Sequence, residues 1–213
     1  MPAPAIKICG ISTPDALDAA IAGQAAHVGF VFYHPSPRNV APALAAQLAA
    51  RAGARIGKVG LFVDPNDSLL AEAVSAGQLD AIQLHGKESP ERAAQVKARH
   101  GLPVWKALPV ASADDVARAA SYREAVDLIL FDAKTPKGAL PGGMGLSFDW
   151  ALLAAYKGPL PWGLAGGLNP ANVADAIAQT GAPLVDTSSG VESAPGIKDV
   201  DRIAAFCKAA HQL

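Results

Sequence analysis

Eight short runs rich in Val, Ile, Leu and Phe, each followed by a longer, often Ala-rich segment of helical character, limit what this chain can fold into more than any other feature. The runs are Ala5 to Cys9, Val28 to Phe32, Ile56 to Val63, Ala81 to His85, Val104 to Leu108, Leu128 to Asp132, Trp162 to Ala165 and Leu184 to Thr187. Their near-continuous apolar character marks strands buried on both faces, as in a parallel sheet covered by helices. Thr13-Pro14, Asp64-Pro65, Ser89-Pro90 and Asn169-Pro170 each place a capping side chain before a proline at a first helical position, and Gly53, Gly77, Gly101 and Gly181 follow as terminators. Eight βα units close naturally into a (β/α)8 TIM barrel, because eight strands leave an interior that side chains just fill. An open doubly wound sheet is the alternative. The barrel is preferred because no unit reads as an edge strand and no Gly-rich dinucleotide fingerprint follows the first run. A chain of 213 residues supports one sizeable core, so a single barrel domain over residues 1–213 is expected.

At 51% hydrophobic and 17% charged residues, with a formal net charge of −1, the chain has neither the basic footprint of a nucleic-acid binder nor the charge excess of a disordered segment. A small molecule is the expected partner, for a protein working as a monomer or homodimer. Cys9 and Cys207 are the two cysteines; with no N-terminal signal pattern they read as free thiols of a cytoplasmic protein. The most apolar stretches, such as Ala41 to Ala54, are broken by Pro, Gln and Arg well before the ~20 residues that a membrane helix needs, so no membrane partner is expected. The histidines lack metal-ligand spacing, and neither a metal nor another cofactor is expected.

Barrel enzymes work at the carboxyl ends of their strands, which makes the residues just past each run the candidates. Cys9 closes the first run in Lys7-Ile8-Cys9-Gly10, and Asp132 closes the sixth. Two proton-transfer groups at two strand ends point to acid/base chemistry. Each has a plainer reading: a buried cysteine is a small hydrophobe, and Asp132 is placed to cap a turn or pair with Lys134 or Lys137. Arg38, in the stiff loop Ser36-Pro37-Arg38, is either a solvated surface arginine or a planar fork for a substrate carboxylate. His85 follows the fourth strand, with a role in structure as the alternative. Gly142-Gly143-Met144-Gly145, Ala165-Gly166-Gly167 and Ser188-Ser189-Gly190 fall after the sixth, seventh and eighth strands. Such loops cradle an anion with backbone N–H groups, and barrels commonly hold a phosphate there; the glycines otherwise serve tight turns. The connection from Ala133 to Ser147 is long enough to cover the site.

Taken in order, Lys-Ile-Cys-Gly, Ser-Pro-Arg, Gln-Leu-His-Gly, Phe-Asp, Gly-Gly-x-Gly, Leu-Ala-Gly-Gly-Leu and Asp-x-Ser-Ser-Gly-Val-Glu make the chain resemble the phosphoribosylanthranilate isomerases of tryptophan biosynthesis, from Lys7 to about Phe206. Phe148-Asp149-Trp150, expected to open the helix after the sixth strand, and Pro195-Gly196-Ile197-Lys198-Asp199 agree with that family. The resemblance implies Cys9 as general base, Asp132 as general acid and Arg38 as ligand of the anthranilate carboxylate. It also implies His85 and Asp186 as substrate contacts, with Gly145, Gly166, Gly167, Ser188 and Ser189 at the phosphate. Met144 departs from the small polar residue usual between the family's glycines.

The implied reaction is an Amadori rearrangement of an aminoaldose phosphate to an aminoketose phosphate, which needs one proton given and one taken. A free carboxyl titrates at ~3.9 and a free thiol at ~8.5. The pair is therefore expected to shift toward neutrality, Asp132 upward by burial or negative neighbours and Cys9 downward by positive potential. Lys7 is not relied on for that potential, on the reading that it points to the opposite face of its strand. The nearest rival is the histidine-pathway isomerase, which is expected to carry Asp in place of Cys9. A metal-dependent sugar-phosphate epimerase lacks its ligands here, and a non-catalytic barrel binding a phosphorylated metabolite has no need of both proton-transfer groups.

Overall fold

The computed structural model describes residues 3–134, 145–153 and 156–212. Eight parallel strands, β1 (Ala5–Cys9), β2 (His27–Phe32), β3 (Gly57–Phe62), β4 (Ala81–Leu84), β5 (Val104–Val110), β6 (Leu128–Ala133), β7 (Trp162–Leu164) and β8 (Leu184–Thr187), follow one another around a closed barrel. Pairing of Ala5 with Leu184 through Ile8 with Thr187 shuts the cylinder and leaves no edge. The barrel expected from the apolar runs is the one found, with strand ends shifted by a residue or two.

Alternation along each strand divides the core. Ile6, Ile8, Val28, Phe30, Ile82, Leu84, Ile129 and Phe131 turn outward and are buried under the helices. Val59, Ala81, Trp105, Ala107, Leu130, Ala165 and Leu184 form a separate apolar cluster that fills the barrel. Cys9 packs with Val31 and Leu61 in another cluster, bordered by Tyr33 and Val63. The barrel is a packed plug with functional groups at one end.

The outer layer comprises α1 (Pro14–Ala22), α2 (Pro42–Ala52), α3 (Asp67–Ala76), α4 (Pro90–His100), the short α5 (Ala113–Ala117), α6 (Val173–Thr180) and α7 (Val200–His211). Thr13 and Ser89 cap as their sequences predict, accepting from Ala16 N and Arg92 N. Two predicted caps act otherwise. Asn66 caps α3, while Asp64 adopts φ 47° and its carboxylate takes Lys87 N, tying the β3 loop to the β4 loop. Asn169 starts a turn by accepting from Ala171 N, α6 begins only after Asn172, and both asparagine side chains donate to Gly167 O. These asparagines brace the loop after β7. Phe148-Asp149-Trp150 opens a single 3-10 turn, Trp150–Leu152, instead of an α-helix. After β8 comes an antiparallel hairpin of β9 (Glu192–Ala194) and β10 (Ile197–Lys198).

An ion pair lies outside the barrel wall, behind the β4 loop. Lys106 and Glu88 side chains are each 2% exposed, with Nζ 3.0 Å from Oε2. Lys106 also donates to Gly86 O at 2.8 Å, and Glu88 accepts from Asp64 N at 2.8 Å and from Gly86 N. Burial lowers the lysine's affinity for its proton, and Glu88 opposes that effect. Removing one partner strands the other charge in a dry site. Lys106→Met should therefore lower the unfolding free energy in urea by about 3–5 kcal/mol, with Lys106→Met plus Glu88→Gln recovering part of the loss. A single variant as stable as its parent would contradict this account.

Candidate active site

The base candidate sits in a space made for it. Cys9 ends β1 and is 4% exposed, and a methyl on neighbouring Gly29 would lie 2.8 Å from its Sγ. Gly10 then turns the chain at φ 80°, where a Cβ would also come within 2.8 Å of the Arg38 side chain. Glycine is needed there for both conformation and clearance.

Beneath Cys9 lies Lys7. Residues two apart on a strand share a face, so Lys7 points into the barrel with Cys9, which corrects the expectation of an opposite face. It is wholly buried, and its Nζ donates to Asp186 Oδ1 at 3.0 Å across the β1–β8 seam. Burial works against the Lys7 ammonium, but Asp186 and Cys9 outweigh it and raise its pKa. Burial pushes the Cys9 thiol up, with Asp186 adding to the rise while Lys7 and Lys198 pull it down. The expected downward shift of Cys9 is thus reversed, because desolvation exceeds the pull of the ammonium groups. Asp186 is itself raised, chiefly by burial.

Asp132, the acid candidate, is the penultimate residue of β6, at 7% exposure. Of the two expected lysine partners, Lys134 lies 3.5 Å from Asp115, and Lys137 is outside the described residues. Asp132 Oδ2 is 3.0 Å from His85 Nε2, while Oδ1 accepts from Ala133 N. His85 Nδ1 is in turn 3.2 Å from the amide nitrogen of buried Gln83. Nothing in the sequence alone assigns Gln83 a role, although its spacing of two from His85 puts it on the same inward face.

Arg38 is 9% exposed, which removes the surface reading. Its Nε and Nη2 donate to Glu192 Oε1 and Oε2 at 2.7 and 2.8 Å, a bidentate grip that sets the plane of the guanidinium. Lys198 Nζ also donates to Glu192 and to Ser188 O. Burial pushes the Glu192 carboxyl up, but Arg38 and Lys198 prevail and hold it below its ordinary range. Glu192 closes the last quoted motif and Lys198 lies in Pro-Gly-Ile-Lys-Asp, so the signal was present without an assigned partner.

These groups face one hollow of about 240 Å³, lined by Cys9, Arg38, His85, Asp132 and Asp186 together with Gly166, Gly167, Ser188 and Ser189. Gly145 lies on an adjoining recess shared with Arg38, Gly167 and Ser189. Ser188 donates its hydroxyl to Cys9 O at 3.1 Å, joining the β8 loop to the base candidate. Gly142, Gly143, Met144 and most of the connection from Ala133 to Ser147 fall outside the described residues. Among the described residues no group of three or more His, Cys, Asp or Glu side chains is arranged to hold a metal ion, and no helix is long and apolar enough to cross a membrane.

The two thiols should react differently. Cys207, on α7 and turned toward Gly23 at the end of α1, is 1% exposed and pushed up to about 11 by burial, whereas Cys9 borders the hollow. Iodoacetamide at pH 8 should label Cys9 and spare Cys207. Because the Cys9 pKa is raised, its alkylation rate should climb from neutral pH through pH 9 without levelling; peptide mapping that showed a plateau near pH 7 would contradict the burial argument.

Comparison with known proteins identifies the family. The family model described as N-(5'phosphoribosyl)anthranilate (PRA) isomerase matches residues 6–209. The chain is 56% identical over 209 residues to the N-(5'-phosphoribosyl)anthranilate isomerase of Rhodospirillum centenum, covering 96% of this chain and 98% of that one. It is 55% identical over 206 residues to that of Paramagnetospirillum magneticum, covering 96% of each. Its fold is similar to crystalline phosphoribosyl anthranilate isomerase from Thermotoga maritima, with a TM-score of 0.88, 38% identity and coverage of 99% of this chain and 100% of that one. A structure of a phosphoribosyl anthranilate isomerase in complex with reduced 1-(o-carboxyphenylamino)-1-deoxyribulose 5-phosphate gives a TM-score of 0.86 at 36% identity, again covering 99% and 100%. The chain belongs to the N-(5'-phosphoribosyl)anthranilate isomerase family.

Proposed function

We propose that this chain, as one catalytic domain, carries out the Amadori rearrangement of N-(5-phosphoribosyl)anthranilate to 1-(2-carboxyphenylamino)-1-deoxyribulose 5-phosphate in tryptophan biosynthesis, with Asp132 as general acid and Cys9 as general base. The observation that carries the assignment of roles is a thiol on β1 and a carboxyl on β6, three strand steps apart, bordering the same hollow beside an arginine fork. Asp132 protonates the furanose ring oxygen, and the ring opens to a protonated Schiff base. The cationic nitrogen acidifies the adjacent C2′–H, Cys9 removes that proton, and the resulting enolamine tautomerises to the ketone. A thiolate formed at Cys9 is poorly hydrated and correspondingly basic, with Lys7 beneath to balance its charge.

Arg38, held in plane by Glu192, takes the anthranilate carboxylate. His85 and Asp186 flank the reacting sugar, and Gly145, Gly166, Gly167, Ser188 and Ser189 receive the phosphate from the β6, β7 and β8 loops. The protein works on this small molecule in the cytoplasm as a monomer or homodimer, with neither nucleic acid nor membrane as partner. Its small net charge and two free cysteines support that reading.

Loss of anthranilate fluorescence on mixing with freshly prepared phosphoribosylanthranilate, with no turnover of the histidine-pathway aminoaldose phosphate, tests the activity. No turnover of either would favour a binding protein. Cys9→Ser and Asp132→Asn should each lower kcat by about 10² to 10⁴ while circular dichroism stays native, and a variant with parental turnover would lose its assigned role. Arg38→Ala should raise KM at least tenfold with a smaller effect on kcat. Unchanged KM would remove the carboxylate contact.

A further inference from the structure

Gln83 is a buried side chain that the reaction leaves unused. It lies on β4, fully enclosed, one inward position below His85. Its Nε2 is 3.2 Å from His85 Nδ1, and among the described residues its Oε1 has no hydrogen-bond partner. The other ring nitrogen, Nε2, is 3.0 Å from Asp132 Oδ2. Amide, imidazole and carboxyl therefore form one line from the barrel interior to the acid.

Such a line exists in two self-consistent forms. When Gln83 presents its NH2, His85 Nδ1 must accept, the ring proton sits on Nε2, and Asp132 receives it as a carboxylate. The His85–Asp132 pair then holds one proton. When the amide rotates by half a turn, Oε1 accepts from an Nδ1–H, and the pair holds a second proton, shared between His85 Nε2 and Asp132 Oδ2. Only the second form has a proton to give. The two differ by one proton exchanged with water, and the unpartnered Oε1 is the atom that the second form uses.

We propose that Gln83 is a positioning residue whose amide, by presenting Nε2 or Oε1 to His85 Nδ1, selects between the one-proton and two-proton forms of the His85–Asp132 pair and so governs whether Asp132 has a proton to give. The inference rests on the reading of Asp132 as general acid. Other charges bear on the same pair. Asp186 from β8 interacts with both members, and Lys7 and Cys9 from β1 interact with Asp186 or each other. Arg38 lines the same hollow, and Lys106 with Glu88 stands behind the β4 loop. Substitution at Gln83 alters the line while leaving all of these in place.

The test follows the His85 ring by 15N NMR across pH, beside the kcat/KM profile, in the parent, Gln83→Glu and Gln83→Met. Gln83→Glu always offers an acceptor, so the pH at which Nδ1 gains its proton should rise by about one unit or more, whereas Gln83→Met, which offers none, should lower it by about one unit. The limb of the activity profile that reports the pair should move in the same sense. His85 titrations coincident in all three proteins would overturn the proposal. If neither variant folds, the parent decides: Nδ1 protonated across the pH range of turnover supports the two-proton form, and Nδ1 bare at every pH of turnover overturns it. Asp132→Asn separates the failures, because full turnover there removes the acid assignment, while an inactive Asp132→Asn with unmoved Gln83 variants removes only the role given to Gln83.

Discussion

Pairing of β1 with β8 sets Lys7 beside Asp186, and the groups above that pair take their positions from it. An ammonium with no exposure to water is tolerable only beside a compensating charge, and the carboxylate can supply one only if the cylinder is shut in this register. A slip of one residue would turn Lys7 into the helical layer and carry Cys9 out of the hollow. The seam between first and last strands is thus both a structural closure and the electrostatic floor of the site.

Above that floor the ionisable groups come in linked sets. Cys9 is coupled to Lys7 and Asp186, Asp132 to His85 and Gln83, and Arg38 to Glu192 and Lys198. Each set contains a group that borders the hollow and others that orient it or offset its charge. Low dielectric makes such linkage necessary, since an isolated charge at this depth would be neutralised by a change in protonation. It also makes the direction of a shift hard to foresee from sequence. The Cys9 thiol is raised because burial, which depends on the closed barrel and on Gly29, exceeds the attraction of Lys7.

Much of this arrangement was legible in the residues. Eight apolar runs specified the strands because parallel strands buried on both faces need continuous hydrophobicity, and strand ends located Cys9, His85, Asp132 and Asp186. What escaped were relations between distant parts. Glu192 and Arg38 are 154 positions apart, and nothing local to either marks them as partners. Lys7 and Gln83 differ: strand parity alone puts them inside, but a lysine or glutamine in a barrel interior contradicts the ordinary expectation for polar residues. The predicted caps at Asp64 and Asn169 failed because their side chains found stronger uses in bracing neighbouring loops.

The hairpin after β8 shows how such bracing constrains change. Glu192 on β9 and Lys198 on β10 connect the Arg38 fork to the Ser188 loop, and Ser188 in turn reaches the backbone of Cys9. The two anionic ends of a substrate would therefore be received by a common truss instead of by separate receptors. Diverging toward a molecule with only one acidic end would demand concerted replacement of several spans, so inheritance in this corner of the barrel is expected to proceed in blocks.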